Sequence, residues 1–324
     1  MILKSDIHAH IEGTMSPDLM RKLSARNNMA VDPDLFRADG SYAWRDFRHF
    51  LQTYDAAAGA ICTPEDYRDV VYDHFSGGAK QGMIYGEIFA SPNHATASGM
   101  SYEMMVEGLV AGLDDAKRDH GVEGRIIINA VRHHGLEKAV AAAEFAARYP
   151  HPKVTGFGIA GDEAYGQHKD FLPAFEIARD AGLECTAHAG EVLGPESVKA
   201  ALDALPISRI GHGVRAIDDP ELVARLVADQ IVLEVCPGSN IAIGVYPDLK
   251  SHPLRRLYDA GVAVTLNSDD PPFFWTNIGL EYDRAGDQMG FSDTELTSMT
   301  RTAIKAAFVD EGTRQGLLAR LDAD

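Results

Sequence analysis

Residues 183–189 read LECTAHA, residues 208–213 SRIGHG, residues 231–237 IVLEVCP and residues 262–268 VAVTLNS. Each is a short run rich in strand-forming residues and bounded by Gly, Pro or a polar turn. Between the second and third lies DPELVARLVADQ (residues 219–230), with its apolar residues at helical spacing. The same alternation extends towards the N-terminus. ILKSDIH (2–8), GMIYGEIFA (82–90), RIIINAV (125–131) and VTGFGIA (154–160) read as strands, while residues 101–121 and 136–149 read as amphipathic helices. Eight strands alternating with helices predict an α/β chain folded as a (β/α)8 TIM barrel, usually about 250 residues long.

The surplus length falls in two places. Residues 29–80, which include YAWRDFRHFLQTYDAAAG, form a helical insertion after the first strand, and residues 293–324 form a helical tail. The whole chain, 1–324, reads as one barrel domain. A doubly wound open sheet is the competing layout, but no G-x-G-x-x-G follows an early strand.

Composition narrows the function. With 45% hydrophobic residues the 324-residue chain can bury a full core, and 48 acids against 30 bases give a formal charge of -18. That charge repels a phosphate backbone, so a neutral or cationic small molecule is expected as partner, with no nucleic acid. Cys62, Cys185 and Cys236 form no C-x-x-C pair, which argues against a disulfide framework or a cysteine zinc cluster and fits a reducing, cytoplasmic setting. No apolar run approaches the ~20 residues needed to span a bilayer, and MILKSDIHAH lacks a secretory core. Neither a membrane partner nor an oligomeric state can be read from the sequence.

Active sites of such barrels lie at the C-terminal ends of the strands, and that rule sorts the polar residues. His8 and His10 end the first strand two residues apart, so both imidazoles share a face, as a common metal requires. The fifth strand ends in HAGE, with His188 and Glu191, and the sixth in GHG around His212. The eighth ends in the adjacent acids Asp269 and Asp270, followed by Pro271. Pleating sends neighbours to opposite faces, so both acids serve one pocket only where the backbone is turning; Pro271 keeps Asp270 out of helical geometry there. Close carboxylates raise each other's pKa, whereas a divalent cation keeps a ligand ionised. Asp269 is therefore expected as a metal ligand and Asp270 as a carboxylate aimed at substrate. Three imidazoles, one carboxylate and a place for water suit one catalytic Zn2+ per chain, which would lower the pKa of its water to about 7. Glu191 is placed to supply the acid. His49, His74, His120, His133, His134 and His151 are expected at the surface or in packing.

Taken in order, HAHIEG, AGDE, HAGE, GHG, CPGSN and NSDDP resemble the adenosine and adenine deaminase family of the amidohydrolase barrels, from Asp6 to about Tyr282. The resemblance implies that His8, His10, His188 and Asp269 bind zinc, and that Glu191 donates a proton to the purine ring nitrogen beside C6. His212 would orient and stabilise the attacking oxygen, Asp270 would hydrogen-bond another ring nitrogen, and Gly161 would offer its backbone N–H to the base. His10 would also face the substrate, Asp269 would share in the chemistry, and Glu12 would contact the sugar or the pocket wall. The reaction the resemblance implies is hydrolytic removal of the C6 amino group as ammonia, within purine salvage or catabolism.

Glu12 and Gly158 stand where many animal-type adenosine deaminases carry Asp. Ser239 and Asn240 resemble the adenine-acting branch, and the GHG segment resembles the nucleoside branch. The reading favours adenosine, with 2'-deoxyadenosine; adenine or an N6-substituted or modified adenine nucleoside is the alternative. A catalytically silent nucleoside-binding barrel is the non-enzyme alternative, against which the complete ligand and proton-donor set speaks. A two-metal amidohydrolase would place a lysine at the end of the fourth strand, yet Lys153 stands at its beginning. Trp44, Phe47, Phe50 and Tyr54 recur at helical spacing and read as core packing, or else as a lid; Phe273, Phe274 and Trp275 are expected pocket walls.

Overall fold

Eight strands pair in sequence order, every neighbour parallel: β1 (Lys4–His10), β2 (Met83–Ala90), β3 (Glu123–Val131), β4 (Val154–Ala160), β5 (Glu184–Ala189), β6 (Arg209–His212), β7 (Val232–Val235) and β8 (Ala263–Leu266). Helices between them make this the expected (β/α)8 barrel. It is a computed structural model that describes residues 2–323; Met1 and Asp324, the ends of the expected 1–324 unit, lie outside the described residues. Strands covered on both faces need continuous apolar runs, and Ile126, Ile127 and Ile128 of β3 are all fully buried.

Closure between β8 and β1 relies on side chains as well as backbone. The Asp269 N–H donates to the His8 carbonyl (2.9 Å) and the His10 N–H to the Asp269 carbonyl (3.1 Å). Asn267 Oδ1 accepts from the Ile7 N–H at 2.9 Å, taking the place of a ladder carbonyl. The buried Asp6 carboxylate accepts from both the hydroxyl and the backbone N–H of Ser268. These bonds explain why β1 runs to His10 rather than stopping at the expected His8: its last residues are the ones that β8 needs as partners.

The insertion divides differently from the expected continuous helical excursion. Helix α1 (Pro17–Arg26) precedes it, and α2 (Phe47–Ala58) and α3 (Pro64–Lys80) form its second half. The DPD and ADGS turn residues keep the stretch before Asp46 irregular apart from one short 3-10 turn at Pro33–Leu35. Trp44 therefore lies outside α2; its indole stacks on Trp275 and donates to the Phe273 carbonyl at 3.1 Å.

The tail helices, Asp293–Ala306 and Glu311–Asp322, close the opposite, N-terminal end of the barrel. Arg209 is fully buried there, with Glu87 Oε2 at 2.7 Å, Glu234 Oε1 at 2.6 Å and the Phe308 ring centroid at 3.5 Å. Its Nη1 donates to the Ala306 carbonyl (3.0 Å), and the Phe308 N–H donates to Glu87 Oε1 (2.6 Å). Removing one partner of such a network leaves buried charges uncompensated. Arg209→Ala is expected to cost about 3–5 kcal/mol of stability, read as a lower urea midpoint at unchanged slope.

Candidate active site

At the other end of the barrel the strand termini converge on a cleft that encloses about 560 Å³ of space free of protein atoms, part of it open to solvent. His10, His188, Glu191, His212, Asp269 and Asp270 line it together with Gly161. The fully buried His8 sits just behind, where the Glu234 carboxylate accepts from its Nδ1 at 2.6 Å. That bond places the His8 proton on Nδ1 and leaves Nε2 bare. The bare nitrogen lies 3.1 Å from His188 Nε2, which is in turn 3.2 Å from His10 Nε2. Asp269 Oδ1 completes the group, 3.4 Å from His10 Nε2 and 3.9 Å from His8 Nε2.

Two strand-end residues bend the backbone to aim these groups. His212 has φ +59° and Asp269 φ +60°, both in the left-handed region that non-glycine residues seldom occupy. The turn at Asp269 breaks the pleat, so Asp269 and Asp270 both face the cleft. Gly13 is required opposite, because a Cβ there would overlap the Asp270 carboxylate. Gly161 has φ +93°, and a Cβ would lie 2.8 Å from His133 Nδ1.

The deep end of the cleft lacks positive charge, whereas at its mouth His94, although burial disfavours its charged form, is raised to about 9 by hydrogen bonds to Asp55 and Glu12. No Lys or Arg lines the cleft among the described residues. Burial pushes the His8 and His10 imidazoles down to about 3 and His188 and His212 well below their usual range, so all four are neutral. Burial, with repulsion from Asp6 and Glu281, pushes Asp269 up to about 7, and burial with repulsion from Asp269 pushes Glu191 and Asp270 well above the carboxylate range. Asp270 Oδ1 is buried without a partner, as is Oδ1 of Asn129, another cleft residue. Imidazole nitrogens about 3 Å apart beside a carboxylate fit a divalent cation: the bare His8 nitrogen faces those of His188 and His10, and the N/O donor set is the kind such an ion takes.

Glu191 is held by its neighbours. The buried Glu163 carboxylate accepts from the N–H groups of Gly190 (2.5 Å), Val192 (2.8 Å) and Leu193 (2.9 Å) and from the Ser197 hydroxyl (2.5 Å). The backbone on both sides of Glu191 is thereby pinned.

Several expectations need correction. Glu12 does not line the cleft: its carboxylate accepts from the Tyr54 and Tyr67 hydroxyls (both 3.2 Å) and from the Ser91 N–H (3.1 Å). Burial pushes its pKa up, but His94, whose Nδ1 stands 3.8 Å away, outweighs that and holds it below the usual range. His133 is a wall residue rather than surface or packing, and His94 and Asp55, which the sequence reading passed over, line the mouth with Asp55 accepting from His94 Nε2 at 2.9 Å. Phe47, Phe50 and Tyr54 do form a cleft wall with Phe274; Phe273 packs behind, and Trp275, 40% exposed, lies outside. Lys153 pairs with Asp114 at 2.8 Å and does not line the cleft.

A parallel barrel with histidines and carboxylates gathered at its C-terminal rim defines an amidohydrolase-type hydrolase fold. The chain belongs to the adenosine deaminase family, whose model, described as "Adenosine deaminase", matches residues 4–324. It is 51% identical over 320 residues to a protein of Agrobacterium fabrum named adenine deaminase, covering 99% of this chain and 98% of the other. Among solved structures it is similar to an adenine deaminase from Arthrobacter aurescens (TM-score 0.93, 29% identity, 100% and 99% coverage). It is also similar to an amidohydrolase from Burkholderia ambifaria with bound Zn (TM-score 0.90, 26% identity, 99% and 90% coverage). No helix among the described residues is long and apolar enough to cross a membrane.

Proposed function

We propose that this chain, taken as a single barrel unit of residues 1–324 acting in the cytosol, is an adenine deaminase that hydrolyses adenine to hypoxanthine and ammonia. One observation carries the choice of base over nucleoside. Glu12, the carboxylate expected to meet a sugar or the pocket wall, meets the wall: it is spent on Tyr54, Tyr67 and Ser91 and does not itself line the cleft. The names of the relatives support the same choice, and the preference for adenosine drawn from the sequence gives way to its alternative.

His8, His10, His188 and Asp269 would hold one zinc ion, which when bound supplies a water acidified to about pKa 7. The other residues act on the purine. Glu191, kept protonated by burial and neighbouring acids, gives its proton to the ring nitrogen beside C6 as oxygen adds to that carbon. Asp270, also held protonated, donates to a second ring nitrogen, and the Gly161 N–H meets a third polar position of the base. His212 orients the attacking oxygen. Proton transfer to the exocyclic nitrogen then lets the C6–N bond break, and ammonia leaves.

The test is ammonia release from adenine, adenosine, 2'-deoxyadenosine, N6-methyladenine and N6-methyl-AMP. Adenine is expected to give a kcat/KM at least ~10-fold above adenosine, since each ribose hydroxyl left unpaired in a buried site costs about 1–3 kcal/mol. Adenosine turned over as well as adenine would overturn the assignment.

A further inference from the structure

His212 turns one ring nitrogen to the cleft and the other to a chain of buried groups. Its Nε2 lies 3.5 Å from Glu191 Oε1 and 3.8 Å from Asp269 Oδ2. Its Nδ1 is 3.3 Å from Asn240 Nδ2, and Asn240 Oδ1 is 3.1 Å from His252 Nε2. The chain ends on the backbone, where His252 Nδ1 accepts from the Leu254 N–H at 3.2 Å. Asn240 and His252 are both buried and neither lines the cleft. Asn240 closes the CPGSN segment, which the mechanism above leaves without a role.

The backbone end fixes the direction of every bond. A main-chain N–H can only donate, so His252 Nδ1 is bare and its proton is on Nε2. That N–H requires an acceptor, so Asn240 presents its oxygen to His252 and its NH2 to His212. The NH2 donates to His212 Nδ1, and the proton of His212 is therefore on Nε2, facing the cleft. Rotating the amide by half a turn would require His252 to have lone pairs on both nitrogens, which neither a neutral nor a protonated imidazole has.

We infer that Asn240 and His252 are positioning residues that lock His212 in the tautomer presenting an N–H donor to the attacking oxygen. His212 then holds that oxygen by donation and cannot accept its proton, which leaves proton acceptance to the carboxylates opposite: Asp269, and Glu191 once it has given its own proton to the ring nitrogen. The functional part rests on the deaminase reading; the tautomer does not.

Long-range proton–nitrogen correlation spectra of the metal-loaded, ¹⁵N-histidine-labelled protein read the tautomer directly. His212 and His252, assigned with the single variants His212→Gln and His252→Gln, are each expected to show a protonated Nε2 and a bare Nδ1. A protonated Nδ1 on His212 would overturn the inference. Asn240→Asp replaces the NH2 donor with an acceptor and is expected to move the His212 proton to Nδ1. Metal content and KM should stay within about twofold while kcat falls by at least ~10²-fold; a wrong imidazole tautomer costs about 10⁴-fold in serine proteases. An unmoved proton in that variant, or a moved proton with unchanged kcat, would refute the lock or its consequence respectively. If the variant does not fold, the wild-type spectrum decides alone. Failure of the deaminase reading would appear separately, as no ammonia released from any purine.

Discussion

Glu191→Gln is expected to keep its metal and its fold and to lose ~10²–10⁴-fold in kcat, the usual contribution of a positioned general acid. Glutamine preserves shape and the Glu163-pinned backbone around it, but has no transferable proton. The pH profile sharpens the test. Glu191 works in its protonated form, and burial followed by repulsion from Asp269 and Glu163 raises its pKa, so activity falls as pH rises through that raised value. The variant's residual activity should lack this alkaline limb. Wild-type turnover in Glu191→Gln would remove Glu191 from the mechanism.

The second large effect separates the adjacent acids. Asp269→Ala removes one of four expected ligands, so elemental analysis should show metal largely lost after dialysis, with activity lost in parallel. Asp270→Asn should retain metal and lose ~10²-fold or more in kcat/KM, because a buried donor or acceptor meant for the purine ring is altered. Equal metal loss in the two variants would contradict the division that the turn at Asp269 creates.

How far the sequence disclosed this site depends on where each residue's partners come from. Strand-end residues were legible, because period-2 patterning and the rim rule depend on local sequence: His8, His10, His188, His212 and Asp270 all come together at the rim as expected. The shared orientation of Asp269 and Asp270 was legible as a requirement, though not the left-handed φ that meets it. Which of its two expected partners Glu12 meets was not legible, since the hydroxyls that occupy it come from α2 and α3, distant in sequence and brought near only by folding. His94, Asp55 and Asn129 carried no periodic signal. Glu234 did carry one: it is the only charged residue in IVLEVCP, and a lone acid in a buried apolar strand needs a partner. Here it has three, Arg209 and the Thr186 hydroxyl on one oxygen and His8 on the other, which links the barrel floor to the cleft.

That floor also sets an order of events during synthesis. Phe308 and the Ala306 carbonyl, which cover Arg209, follow all eight strands along the chain and so leave the ribosome after them, whereas Glu87 emerges early. A nascent chain has all eight strands before it has the cap, and until then it carries an uncovered guanidinium between two acids at its base. Chains cut short of residue 306 should stay trapped in that open-bottomed form.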